Sequence, residues 1–219
     1  MMIEEDEKKM DEDYTDIGAV TPEAMEISRK SRKLISKLVG DACPEDRIRQ
    51  RCVIATGDPS VAEILRFMHD PVKAGLKALE EGSRIFVDIK MVEAGVVKKG
   101  HNSAVTSFIG SGDDLAKARG ITRTSAGVLA LSEGLTGSIV VIGNAPSALL
   151  TLCELIDSGK ANPRLIIGTP VGFVNAAESK ERLRGMEVPS ISTVGTRGGT
   201  PIAVASINEI INMFERSQH

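Results

Sequence analysis

The period of the apolar positions changes several times along this 219-residue chain, and each change marks an element. Thr21-Pro22-Glu23 reads as a helix start, with Thr21 as N-cap and Pro22 at the first helical position. Ile27, Leu34, Ile35 and Leu38 then recur at helical spacing. Residues 51–57, RCVIATG, form a short β-branched apolar run closed by Gly57 and read as a buried strand ending in a turn. Asp58-Pro59-Ser60 opens another helix. Further strand–helix units follow: RIFVDI (84–89) leads into MVEAGV, AVTSFIG (104–110) into DDLAKARG, SIVVIG (138–143) into NAPSALLTLCELIDSG, and RLIIG (164–168) into a helix starting near Val174. Near-continuous apolar strands separated by amphipathic helices need cover on both faces. The pattern therefore predicts an α/β fold, a three-layer α/β/α arrangement with a mainly parallel sheet. Residues 1–20 stand apart as an acidic, aperiodic N-terminal arm, too polar to offset its own ordering entropy, ahead of one domain over residues 21–219.

Composition narrows the partners. No apolar run approaches the roughly 18 residues of a bilayer span. The opening MMIEEDEKKMDEDYTD lacks the basic start and apolar centre of a secretory signal, so a soluble, cytoplasmic protein is expected. With 27 basic against 30 acidic residues, no tryptophan and 3% aromatics, there is neither a basic stripe nor a set of stacking platforms for nucleic acid. A small-molecule or protein ligand is left. Cys43, Cys52 and Cys153 lack CxxC spacing and read as reduced thiols in or near the core. Of the histidines, His69 reads as a helix C-terminal residue before Asp70-Pro71. His101 lies in an exposed polar loop that a lid motion could carry inward, and His219 is the last residue. None has the spacing of a metal site, so no protein-bound metal is expected.

In open α/β sheets ligands bind beyond the carboxyl ends of the strands. Three loops there carry turn and helix-start chemistry suited to an anion: Gly143-Asn144-Ala145-Pro146-Ser147, Gly120-Ile121-Thr122-Arg123-Thr124, and Thr196-Arg197-Gly198-Gly199-Thr200-Pro201. Each alone is a weak signal that fits ordinary turn and capping chemistry better, and the three together shift the balance toward an anionic ligand. A dinucleotide fingerprint is absent, because Gly110-Ser111-Gly112 is followed by Asp113, Asp114 and Leu115. P-loop and Gly-x-Ser-x-Gly patterns are absent too.

The blocks GITRTSAG (120–127), VVIGNAPSALLTLCELI (140–156), LIIGTPVGFVNAAESKERL (165–183) and RGGTPIAVASIN (197–208), with VDIKMVEAG (87–95) and the Ile27-to-Ser31 element, resemble the precorrin-8X and cobalt-precorrin-8 methylmutases. The likeness runs from about residue 21 to residue 213. It implies an isomerase of cobalamin biosynthesis, moving a methyl group from C11 to C12 of a ring-contracted tetrapyrrole without organic or metal cofactor. It also implies a homodimer holding its ligand near the subunit interface, with Arg123 acting across it. The substrate's acetate and propionate arms match the anion expected from the loops.

On this resemblance Ser31 hydrogen-bonds the tetrapyrrole, unless it is only a helix-surface serine, and Arg123 clamps a side-arm carboxylate, unless it only makes a surface salt bridge, with Thr56, Asp58 and Thr124 as further polar contacts. Asp88 and Met91 line the pocket, unless Asp88 only caps the next helix and Met91 only fills core. Asn144, Ser147, Arg197, Gly198 and Thr200 rest on the turn-and-anion argument. Glu178 and Lys180 fit an ion pair or subunit contact as well as catalysis.

The family also keeps a proton-donating histidine in a hydrophobic-His-small-small-Gly stretch. Ungapped alignment from Arg51 and Gly57 puts Ile54 at that place, where on a buried strand an isoleucine would be ordinary core. An isoleucine cannot donate a proton, and general acid catalysis typically contributes about 10²–10⁴ in rate. Three readings stay open: a methylmutase that relies on orientation and another donor, such as His101 or substrate-held water; a tetrapyrrole carrier without turnover; and an enzyme acting on another polycarboxylate.

Overall fold

The computed structural model describes residues 21–218, so the acidic segment 1–20 and His219 lie outside the described residues. Six strands form one sheet: β1 (Leu65–Met68), β2 (Ile85–Val87), β3 (Val105–Ser107), β4 (Ile139–Ile142), β5 (Leu165–Gly168) and β6 (Ser190–Thr193), in the order β1-β6-β5-β4-β2-β3. All neighbours are parallel except β1, which runs antiparallel to β6 with Leu65 opposite Thr193. The helices are α1 (Pro22–Val39), α2 (Pro44–Thr56), α3 (Val61–Ile64), α4 (Pro71–Glu80), α5 (Lys90–Gly95), α6 (Asp113–Arg119), α7 (Arg123–Ala130), α8 (Pro146–Asp157), α9 (Ala176–Arg184) and α10 (Thr200–Ser217).

Alternation along the strands feeds two cores. Ile139 and Val141 of β4 join Ile48, Leu79, Ile207 and Ile210 beneath α2, α4 and α10. Val140 and Ile142 turn the other way, to Val128, Leu149, Leu152 and Leu183 beneath α7, α8 and α9. The three layers are thus as the apolar pattern predicts. Among the described residues no helix is long and apolar enough to cross a membrane.

Two sequence expectations are corrected. Residues 51–57 are not a strand: they close α2, whose last turn ends at Gly57 with φ 68° and its N–H bonded to the Val53 carbonyl at 2.8 Å. The start of α2 is fixed by Asp46, whose carboxylate accepts the backbone N–H groups of Ala42 (3.0 Å) and Cys43 (3.3 Å). Ile48 and Cys52, one helical turn apart, then face the core, so tertiary packing overrides the β-branched preference of residues 53 and 54. Ile54 consequently points away from the core and is 40% exposed. His69 does not end a helix either; it follows β1, and both His69 and Asp70 take positive φ before α4 begins.

Helix α1 buries no residue of its own. A node centred on Glu209 of α10, whose side chain is 1% exposed, helps tie it down. Arg32 of α1 donates to Glu209 Oε2 at 2.8 Å and Arg51 of α2 donates to the same oxygen at 3.1 Å. Gln50 accepts from Arg32 at 3.2 Å and donates to the Gly40 carbonyl at the end of α1. Removing the acid leaves two largely buried guanidinium groups facing one another. Glu209→Ala is therefore expected to cost about 3–5 kcal/mol in urea denaturation, and a loss below about 1 kcal/mol, the scale of an exposed pair, would show that the node does not hold the helix.

Candidate functional site

Because β2 to β6 run parallel, the segments that follow them share one edge of the sheet. The antiparallel β1 brings its own beginning, with α3 and residues 57–60, to that same edge. There a pocket of about 240 Å³ opens between α1 and the end of α2, lined by Ser31, Leu34, Ile35, Val53, Ile54, Gly57 and Pro59. Its walls are apolar apart from the Ser31 hydroxyl, and no titratable side chain lines it among the described residues. Thr56, just outside, spends its hydroxyl on the Cys52 carbonyl at 2.8 Å.

The rim beside Gly57 and Pro59 is polar. Asp58 accepts the Ser60 backbone N–H (2.9 Å) and hydroxyl (2.7 Å) and pairs with Arg197, whose guanidinium also donates to the Ser60 hydroxyl at 2.9 Å. These Ser60 bonds, followed by Arg197, hold the Asp58 carboxyl below its ordinary pKa. Gly198 must be glycine, since a Cβ there would lie 2.2 Å from the Thr169 carbonyl oxygen. Gly199 bonds the same oxygen through its N–H at 2.7 Å, so the loop carrying Arg197 is pressed flat onto the loop after β5. Thr200 is the first residue of α10, and Gly143 at the end of β4 lets that strand approach it closely.

The expected anion at Gly143-Asn144-Ala145 turns out to be internal. Asp88, fully buried after β2, accepts the backbone N–H groups of Asn144 (2.6 Å) and Ala145 (2.9 Å). Burial raises its pKa against the opposing effect of those N–H groups. It caps the start of α8 across the sheet, and the Asn144 and Ala145 amides already have their anion. Ser147, one turn on, shares a hydroxyl–hydroxyl bond of 2.8 Å with Thr122, the N-cap of α7. Thr124 is buried, its hydroxyl 3.2 Å from that of Thr122. Arg123 is exposed and makes a two-pronged pair with Asp113 of α6, at 2.9 and 3.0 Å. Arg123 in turn holds the Asp113 pKa down. Met91 is exposed rather than core filling.

His101 stands at the opposite, amino edge of the sheet, in the loop before β3. One ring nitrogen bonds the Val97 carbonyl (2.8 Å) and the other accepts the Ser103 N–H (3.1 Å). Its neighbour Gly100 packs against Glu215, near the end of α10 farthest from Thr200. Within one chain it does not share the pocket with Ile54. Among the described residues no group of three or more His, Cys, Asp or Glu side chains is placed to hold a metal ion.

Sequence reasoning missed Ser60, Asp113 and Thr122. Their roles are pairings between segments, and the local signals, the helix starts at Asp58-Pro59-Ser60 and Thr122-Arg123-Thr124, did not reveal them. Lys180 is fully buried and makes no ion pair among the described residues: it donates to the Thr193 hydroxyl (3.1 Å) and the Arg197 carbonyl (2.7 Å). Glu178 is exposed.

The CbiC family model, precorrin-8X methylmutase, matches residues 26–213. The chain belongs to the precorrin-8X methylmutase family. It is 42% identical over 206 residues to the cobalt-precorrin-8 methylmutase of Methanocaldococcus jannaschii, covering 89% of this chain and 96% of that protein. It is 39% identical over 183 residues to the precorrin-8X methylmutase of Pseudomonas aeruginosa, covering 80% and 87%. A crystal structure of the Thermus thermophilus precorrin-8x methyl mutase superposes with a TM-score of 0.81 at 34% identity, over 88% of this chain and 97% of that one. In this methylmutase fold the sequence blocks at 120–127, 140–156, 165–183 and 197–208 supply the starts of α7, α8 and α10 and the loop after β5, all at the carboxyl edge.

Burial pushes the Lys180 pKa down from 10.5 to about 8, with Arg184 adding to the effect. The unfolded chain keeps that proton to higher pH than the fold does. The buried charge therefore burdens the fold below pH 8, and the burden fades as pH rises from about 8 to 10.5. Relative to Lys180→Met, the wild type should gain up to about 3 kcal/mol across that window. Denaturant unfolding of both proteins near pH 7 and near pH 10 checks this, and an unchanged difference contradicts it.

Proposed function

We propose that this chain is a precorrin-8 methylmutase, an isomerase that moves a methyl group from C11 to C12 of the corrin precursor. The observation that carries the reading beyond family membership is the α1–α2 pocket. Ser31, the residue the resemblance assigns to the tetrapyrrole, lines it together with Ile54. Its rim bears Arg197, paired with Asp58. An apolar slot with one hydroxyl and an exchangeable arginine at its rim suits the flat face, ring heteroatoms and carboxylate arms of such a macrocycle.

A pocket of about 240 Å³ holds only part of a tetrapyrrole, being below the roughly 300–1,000 Å³ usual for drug-sized ligands. The remainder of the enclosure comes from a second copy of the chain. Large apolar side chains left bare support this: Leu34 and Leu38 on α1, and Phe173, 95% exposed, with Val174 in the loop after β5. In such a homodimer Arg123, held in the single chain by the exposed Asp113, exchanges that carboxylate for a ligand arm at little cost, because an exposed ion pair is worth about 0–1 kcal/mol. The cytoplasm is the compartment this reading implies.

With Ile54 in the wall, the pocket's contribution to rate is orientation and exclusion of water, and the proton that assists migration comes from substrate-held water or from the second copy. Incubation with precorrin-8X or its cobalt form is expected to give the longer-wavelength corrin chromophore. A shift of the substrate spectrum without product would leave a binding protein instead. Ile54→His is expected to raise turnover at least about tenfold by supplying a general acid, and no gain would refute the place assigned to Ile54. Arg123→Ala should weaken hydrogenobyrinate binding by about ten- to a hundredfold, the scale of a hydrogen bond to a charged group. Unchanged affinity would remove Arg123 from the site.

A further inference from the structure

Lys180 is the buried charge that the methylmutase reading leaves without a task. It lies on α9 with no exposed surface, and its ammonium donates to the hydroxyl of Thr193 at the end of β6 and to the carbonyl of Arg197. No carboxylate is among these partners. The charged groups nearby are engaged elsewhere. Arg184, on the same helix, bonds the Ser192 hydroxyl (3.2 Å) and the Thr193 carbonyl (3.1 Å) and pairs with Glu181. Glu154 and Asp157 of α8 face Arg182, Glu178 is exposed, and the side chain of Arg197 reaches Asp58. Strands β5 and β6 carry no charged residue.

A buried ammonium without a counter-ion is costly to a fold, and what this one holds is specific. The Arg197 carbonyl is gripped twice from below, by Lys180 at 2.7 Å and by the Thr193 hydroxyl at 2.7 Å. The next residue, Gly198, is pressed against Thr169 and Pro170 with no space for a side chain. With its backbone fixed on both sides, Arg197 sends its guanidinium outward, to Asp58 and Ser60 beside the Gly57–Pro59 wall of the pocket.

We propose that Lys180 is a positioning residue for anion recognition: by gripping the Arg197 carbonyl it sets the Arg197 guanidinium at the pocket rim, where it receives a carboxylate of the ligand. The inference rests on the pocket being the site of a polycarboxylated macrocycle. It gives the site a pH dependence that a purely structural lysine would not. An ammonium donor makes a stronger bond than a neutral amine, so the grip slackens as Lys180 loses its proton near pH 8, while the ligand's carboxylates stay ionised.

The test is spectrophotometric titration of the full chain with hydrogenobyrinate, as a polycarboxylated corrin probe, between about pH 7 and pH 9.5. The wild type should bind several-fold more weakly at the upper end. Lys180→Met should bind about tenfold more weakly than wild type near pH 7 and show no change with pH. Wild-type affinity in Lys180→Met, or a flat wild-type profile, overturns the positioning role. Should the variant not fold, the wild-type profile alone decides. If the wild type fails to bind the probe near pH 7, the macrocycle reading falls first and this inference with it, an outcome distinct from binding that ignores pH.

Discussion

The pocket exists because a buried carboxylate holds a helix that has no core of its own. Helix α1 contributes Ser31, Leu34 and Ile35 to the pocket wall yet buries none of its residues. Its attachment includes Arg32, which shares Glu209 with Arg51 of the facing helix. One acid on the central helix α10 thereby sets the distance between the two walls, α1 on one side and the end of α2 on the other. Such a clamp contributes little net stability against a well-packed apolar alternative, and its use here is to fix geometry. A wall attached by polar bonds over a bare apolar surface suits a site that a second chain or a large ligand must complete.

The same economy of charge runs along the carboxyl edge. Asp88 takes the amides at the start of α8, Asp113 holds Arg123, and Asp58 holds Arg197. The first is buried and permanent, whereas the other two are exposed and cheap to exchange. Of the three loops whose composition suggests an anion site, two thus keep an arginine within reach of a ligand, and the third carries its anion within the fold.

How far the sequence can be read follows from where the signal is local. Strands β2, β4 and β5 are apolar runs bounded by polar residues or glycine, and they are legible, while β3, Val-Thr-Ser, shows only within the longer AVTSFIG segment. Strand β6, Ser-Ile-Ser-Thr, is buried but mostly hydroxylated, so no apolar run announces it. Residues 51–57 mislead because Val53 and Ile54 favour strands, while the helix that contains them is decided at its distant start by Asp46 and by packing on α10. The family blocks fall at the carboxyl edge of the sheet, whereas the pairings made there did not show in the sequence. Asp113 lies ten residues from Arg123, Arg197 lies far from Asp58, and Lys180 lacks the ion pair its sequence context suggests.

Hydrogen exchange with and without hydrogenobyrinate tests the central claim, that the macrocycle sits between α1 and the end of α2. Added ligand should slow exchange at residues 31–35 and 53–60, with smaller effects around Arg197. Protection confined to the opposite edge, near residues 97–104, or none between the two helices, would contradict it.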